Sequence, residues 1–315
     1  MAQQTPGQAR ILDPVLSEYA RGYVQPGLVG RSLFPIVPVQ MYGGKIIEFG
    51  KEAFRLYNTQ RAPGSNTKRI ASGFQGKPFS ISPSALEATV PRELMRDAEQ
   101  VPGIDLGSRA VSTVLRAMNL EHEVNCATIS RLAANYDSAH KVALLGTSRW
   151  AGSTSDPSAD IEAAKEAIRA SIGVRPNTAI LSPSAMNALT FNAKILDRIK
   201  YTSRDTPTEA ILSQLWGIKN VIRGDAVVST NAADDFGDVW GDDVVLAYVS
   251  GNTQANAEEP SYGYTYAIEG MPLVEQPYWD NSAKSWVYGV SFDNSPVLSG
   301  MVAGYLIQDA GGAPA

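Results

Sequence analysis

Apolar residues return at intervals of three and four, or sums of these, along residues 104–135. Val111, Val114, Leu115, Met118, Cys126, Ile129 and Leu132 carry this pattern. The spacing predicts one long helix. At 1.5 Å per residue it would reach on the order of 45–50 Å, the width of a whole domain, which makes it a spine. Residues 136–158 show no period and read as a flexible connector. Beyond them Ile161, Ala164, Ile168 and Ile172 form a second helical face, with Asp160 as its N-cap and Gly173 as its stop. Residues 178–181 then read as a strand, and 184–189 and 208–215 as helices. Residues 221–222, 227–228 and 244–249 read as further strands. From Tyr262 the period falls to two: Tyr262, Tyr264 and Tyr266 alternate, followed by strand-like runs at 286–292 and 301–307. Strands, a spine helix and more strands predict an α+β protein.

The front of the chain has a different texture. Pro6, Pro14, Pro26, Pro35 and Pro38 break residues 1–40 into an extended arm, with room for a short helix only at 15–23. Its apolar residues, Leu33, Phe34 and Val37 among them, have no local partner and are expected to dock elsewhere. Two extended segments, 45–49 and 76–81, flank a polar tip at 61–68, the pattern of a long two-stranded protrusion. Such a hairpin cannot bury a core of its own.

Charge sharpens this division. The 315 residues carry a net charge of −5, yet residues 40–79 hold Lys45, Lys51, Arg55, Arg61, Lys68, Arg69 and Lys77 against only Glu48 and Glu52. Residues 224–283 hold eleven acidic residues and neither Lys nor Arg. A basic front and an acidic rear suit head-to-tail association between copies. An acidic pI near 5.2 argues against a protein that coats nucleic acid.

Candidate chemistry is sparse. One cysteine, Cys126, excludes an intrachain disulfide framework, and two histidines, His122 and His140, offer little for a metal site. His122 and Cys126 lie four apart and read as one packed helix face. The pairs Asp234-Asp235, Asp242-Asp243 and Glu258-Glu259 lack calcium-loop spacing and read as solvated turns. Phosphate-loop, dinucleotide, HExxH and GxSxG sequences are missing, and the Ser-x-x-Lys matches at Ser65 and Ser138 lack their companion motifs. The expectation is no catalytic, cofactor or metal residue. No apolar run is long enough for a spanning helix, and the first residues do not read as a secretion signal.

The order of elements resembles the major capsid protein of tailed bacteriophages, the Hong Kong 97-type fold. Tyr19-Ala-Arg-Gly-Tyr23, Leu28-Val-Gly-Arg-Ser-Leu-Phe-Pro35 and Val37-Pro38-Val39 look like that family's N-terminal arm. The 43–49 strand and basic 58–68 tip look like its extended loop, and 104–135 like its spine helix. Residues 217–225 and 240–248 look like its axial domain, and 296–307 like the last strand of its peripheral domain. The resemblance implies an arm at 1–40, an extended loop at 41–82, a peripheral domain with the spine at 83–158, an axial domain at 159–257 and a return to the peripheral domain at 258–315. It implies many copies, as pentamers and hexamers, in an icosahedral virion shell around double-stranded DNA, assembled in the host cytoplasm without sequence-specific binding or a membrane. Because the arm begins almost at Met1, the resemblance implies a separate scaffolding protein, or an extension already removed, which the initial Met disfavours; a portal and possibly a decoration protein are also implied. Leu33, Phe34, Val37, Arg61, Lys68 and Arg69 are the expected assembly contacts. Lys45, Lys51, Lys68 and Lys77 are available for the isopeptide cross-links of some relatives, but none is expected. An encapsulin-like compartment and, in another class, a cytosolic hydrolase are the alternatives.

Overall fold

The computed structural model describes residues 13–23, 25–47, 60–61, 76–98, 105–200, 206–229, 235–251 and 261–313. The chain opens with α1 (Pro14–Gly22), capped by the Asp13 carboxylate, which accepts from the backbone N–H groups of Val15 and Leu16. A single turn, α2 (Gly30–Leu33), and a short strand, β1 (Ile36–Val39), complete the arm. Strands β2 (Gly43–Ile47) and β3 (Gly76–Ser80) pair antiparallel, Gly43 opposite Ser80, as the two-stranded protrusion requires. Then come β4 (Ala85–Pro91), α3 (Arg92–Ala98) and the spine α4 (Leu106–Arg131).

The spine is shorter than its periodicity suggests. It starts on an Asp105 cap and stops at Arg131, so Leu132 is exposed and no longer part of the apolar face. Its 26 residues span about 39 Å. Residues 136–158 are not a loose connector. They hold β5 (Lys141–Ala143), and Trp150 is fully buried with its indole N–H donating to Asp160 Oδ2 at 2.9 Å. That bond also removes Asp160 from the capping role. The cap of α5 (Pro157–Ile172) is Asp156, which accepts from Ala159 N–H, whereas Gly173 ends the helix in the left-handed region as the sequence suggests, at φ 74°.

The axial half continues through β6 (Thr178–Leu181), α6 (Pro183–Phe191), α7 (Ala193–Ile199), α8 (Glu209–Trp216), β7 (Asn220–Arg223), β8 (Val227–Ser229), β9 (Phe236–Asp238) and β10 (Val244–Ala247). The chain returns through β11 (Gly263–Ile268), β12 (Leu273–Val274), β13 (Tyr278–Asp280), β14 (Ser285–Ser291), β15 (Asn294–Leu298) and β16 (Gly304–Gln308). A five-stranded sheet of order β5-β16-β10-β6-β7 forms the larger core, and it takes β5 and β16 from the 83–158 and 258–315 segments that the resemblance assigns to the peripheral domain. Both β6 and β10 are buried along their full length, which is why they read as unbroken apolar runs. β14 pairs β4 on one side and β12 and β13 on the other, and β11 lies between β1 and β15.

Two large apolar clusters result, and the spine belongs to both. Val111, Val114, Leu115 and Met118 pack with Val290, Phe292 and Tyr288 of the peripheral sheet. Cys126 and Ala127 pack with the larger core, among Phe34, Trp150, Trp240 and Tyr262. A third, smaller cluster joins Val37, Ile81, Tyr264 and Tyr266 at the root of the protrusion.

Candidate functional site

The surfaces that could join copies are the arm, the protrusion and the acidic rear. The arm is held by one buried side chain of the spine. Glu123 Oε1 accepts from Val29 N–H at 2.9 Å and from the Trp240 indole N–H at 2.8 Å, and Oε2 accepts from Gly30 N–H at 2.7 Å. Arm, spine and larger core therefore meet on one carboxylate. The approach is so close that a Cβ on Gly30 would lie 2.8 Å from Glu123 Oε2 and 2.9 Å from Cys126 Cβ.

Beside it, His122 Nε2 lies 2.9 Å from Thr265 Oγ1, whose hydroxyl donates to the Phe34 carbonyl at 3.0 Å. With that proton committed, Thr265 accepts, and His122 Nε2 must be the donor. Burial, aided by the nearby Arg31 charge, pushes the imidazole pKa down to about 4, consistent with a neutral ring. Burial likewise raises the Cys126 thiol well above its usual value, so it stays protonated. The two residues are a packed helix face, as their spacing suggests.

Leu33, Phe34 and Val37 correct an expectation. They were expected to lie exposed until a neighbouring copy covered them; instead all three are buried within their own chain. β1 pairs parallel to β11, Ile36 opposite Thr265, and the Phe34 ring lies 5.5 Å from that of Tyr262. The covering strand lies more than two hundred residues away in sequence, beyond the reach of local pattern.

The root of the protrusion is fixed by Asp293, which accepts from Tyr42 Oη and Ser84 N–H, each at 2.8 Å. Arg61 is exposed; Lys68 and Arg69 lie outside the described residues. In the acidic rear Asp238, Glu269 and Glu275 are exposed. Asp243 is not the solvated turn its sequence suggests: it is buried, accepts from Arg131 Nε at 2.7 Å and from Asp309 N–H at 2.9 Å, and so ties the end of the spine to the five-stranded sheet. Asp234, Glu258 and Glu259 fall outside the described residues.

Glu123, Asp293 and the Arg131–Asp243 pair were not singled out from sequence. For Glu123 a signal was present: a carboxylate between His122 and Cys126 on an otherwise apolar face, a place where an acid must have partners. Among the described residues no cluster of three His, Cys, Asp or Glu could hold a metal, and no helix is long and apolar enough to cross a membrane.

A spine helix shared by two cores, an N-terminal arm, a two-stranded extension and a five-stranded sheet make up the Hong Kong 97-type fold of phage capsid proteins. The family described as phage major capsid protein E matches residues 129–291. The major capsid protein of Burkholderia phage BcepMu is 35% identical over 96% of this chain and 98% of its own. The chain belongs to this family of phage major capsid proteins, which are structural proteins and not enzymes. The crystal structure of a phage-related protein from Bordetella bronchiseptica RB50 is 59% identical with a TM-score of 0.85, covering 98% of this chain and 100% of that one. A structure from Microbacterium phage Oxtober96 has a TM-score of 0.57 at 12% identity, with 98% and 95% covered. The SrpI encapsulin complex of Synechococcus elongatus shares the fold alone, with a TM-score of 0.53 at 13% identity and coverage of 98% and 96%.

Proposed function

We propose that many copies of this chain assemble, as pentamers and hexamers, into an icosahedral shell that encloses double-stranded DNA without reading its sequence. The near-full-length kinship with the Burkholderia phage major capsid protein carries this reading. The protrusion supports it, because among the described residues β2 and β3 pair only with each other and stand outside the two large cores. Its tip, through Arg61, Lys68 and Arg69, is assigned to a neighbouring copy, where Asp238, Glu269 and Glu275 offer exposed carboxylates. Leu33, Phe34 and Val37 are withdrawn from that contact set, since each is used internally. A separate scaffolding protein, a portal and a decoration protein complete the proposed partners, with assembly in the host cytoplasm and the virion as product.

Particles purified from phage-producing cells test the reading. DNA-filled, tailed heads whose shell yields this chain by mass spectrometry are expected. A stable monomer or dimer would overturn it. The encapsulin fold match favours a second reading, a protein compartment; shells with protein cargo and no nuclease-protected DNA would establish that one instead.

A further inference from the structure

Many basic side chains of the described residues sit against carboxylates, as in Lys165–Glu162, Lys194–Asp156, Arg223–Asp225 and Arg131–Asp243. Others, such as Arg92, Arg175 and Lys219, have no such partner, and two of these unpaired cations stand together on one side of the spine. Arg109 and Arg116 are seven residues apart on α4, two helical turns, so they share a side and stand about 10 Å apart along the axis. Arg109 and Arg116 are both exposed, and among the described residues neither has a carboxylate within ion-pair distance. Arg116 Nε instead donates to the Tyr23 hydroxyl at 2.9 Å. About a turn further along, Arg31 Nη2 donates to Asn119 Oδ1 at 2.8 Å, although the buried Glu123 partly offsets its charge.

Neutral acceptors of this kind orient a guanidinium without cancelling its charge. A guanidinium carries five N–H donors, and the Tyr23 bond engages one of them in Arg116. The remaining fork matches a phosphate in two-point geometry, which a lysine could meet only as a point charge. The side chains between the arginines are polar: Ser112, which pairs with the Tyr19 hydroxyl at 2.9 Å, and Thr113. A subunit contact would be expected to offer an apolar centre. Two exposed arginines without a carboxylate partner, one of them oriented by a tyrosine, fit a polyanion instead.

We propose that this pair, Arg109 and Arg116, bears on the phosphate backbone of the packaged double-stranded DNA, so that this side of the spine faces the interior of the shell. The inference rests on the shell reading above. It also explains how a chain with net charge −5 tolerates DNA at its surface: the positive charge is local.

The test uses the full-length unassembled subunit and a fluorescein-labelled 20-base-pair duplex, titrated by anisotropy between about 20 and 200 mM NaCl. The variant R109Q/R116Q is expected to lower the slope of log affinity against log salt by about two, at roughly 0.9 per lost phosphate contact, while still forming shells. R109K/R116K, which keeps the charge, should retain most of the slope. An unchanged slope in the glutamine variant would overturn the inference. So would a shell map that places both guanidinium groups against a neighbouring copy's carboxylates. DNA-filled wild-type heads combined with an unchanged slope would sink this inference alone; wild-type shells without DNA would sink the shell reading as well.

Discussion

Glu123 holds three buried N–H groups from two distant segments, and its loss would leave all of them without an acceptor. Each such orphan costs about 1–3 kcal/mol, and relaxation moderates the sum. Glu123→Ala should therefore destabilise the unassembled subunit by about 3–5 kcal/mol in urea unfolding, and Glu123→Gln by less, since the amide keeps one acceptor oxygen. A loss below about 1 kcal/mol for the alanine variant would mean the arm does not depend on this clasp. His122 adds a pH dependence of known sign. Its folded pKa of about 4 lies below the ordinary value of 6.5, so the unfolded chain binds the extra proton. Stability from this group is complete above pH 6.5, is lost as pH falls toward 4, and levels off below. The full swing is about 3 kcal/mol. His122→Gln, which can still donate to Thr265, should flatten that part of the profile. Urea midpoints for both proteins between pH 7 and 4 check it.

At the scale of elements, long periodic segments were the legible ones. The peripheral-facing half of α4 buries Val111, Leu115 and Met118 as their spacing suggests. Met118→Asp would bury an unpaired charge, at a cost of several kcal/mol. Insoluble or unassembled protein is expected, and normal particles would contradict that packing. The cap of α5 is Asp156 although Asp160, one turn on, could also start a helix; Pro157 at the first helical position and the bond from Trp150 to Asp160 decide between them. Asp156→Ala should accordingly cost about 1 kcal/mol through the lost cap, measured by thermal unfolding. α2 escaped notice because a single turn has no period, and Pro35 makes its surroundings look extended. β5 escaped because three residues cannot show alternation, and its order comes from β16. The arm's apolar residues do need a partner, as their sequence suggests, and the same chain supplies it through β11. Pairing between β1 and β11 leaves no trace in either segment alone. Glu123 is legible as an acid in need of partners, but its donors, Val29, Gly30 and Trp240, come from distant segments that no local pattern links to it.

For the whole molecule, the division into a basic front and an acidic rear survives in part. Asp243 has left the exposed set for an internal tie, while Asp238, Glu269 and Glu275 remain available. Exposed ion pairs are worth only about 0.2–1 kcal/mol each, so their effect lies in steering and register repeated across many contacts. Changing Arg61, Lys68 and Arg69 together to Glu should slow or misdirect assembly, followed by light scattering, while circular dichroism of the subunit stays unchanged. A loop tip pointing into solvent in a shell map would contradict the assignment. The parallel pairing of β1 with β11 has a temporal consequence. During translation the arm leaves the ribosome more than two hundred residues ahead of the strand that will cover it. At about 5–20 residues per second, Leu33 and Phe34 wait roughly ten seconds or longer without their cover. A nascent chain carrying such a segment is open to premature association with its siblings on the same message until β11, made after the Glu123 clasp residues, arrives to cover it.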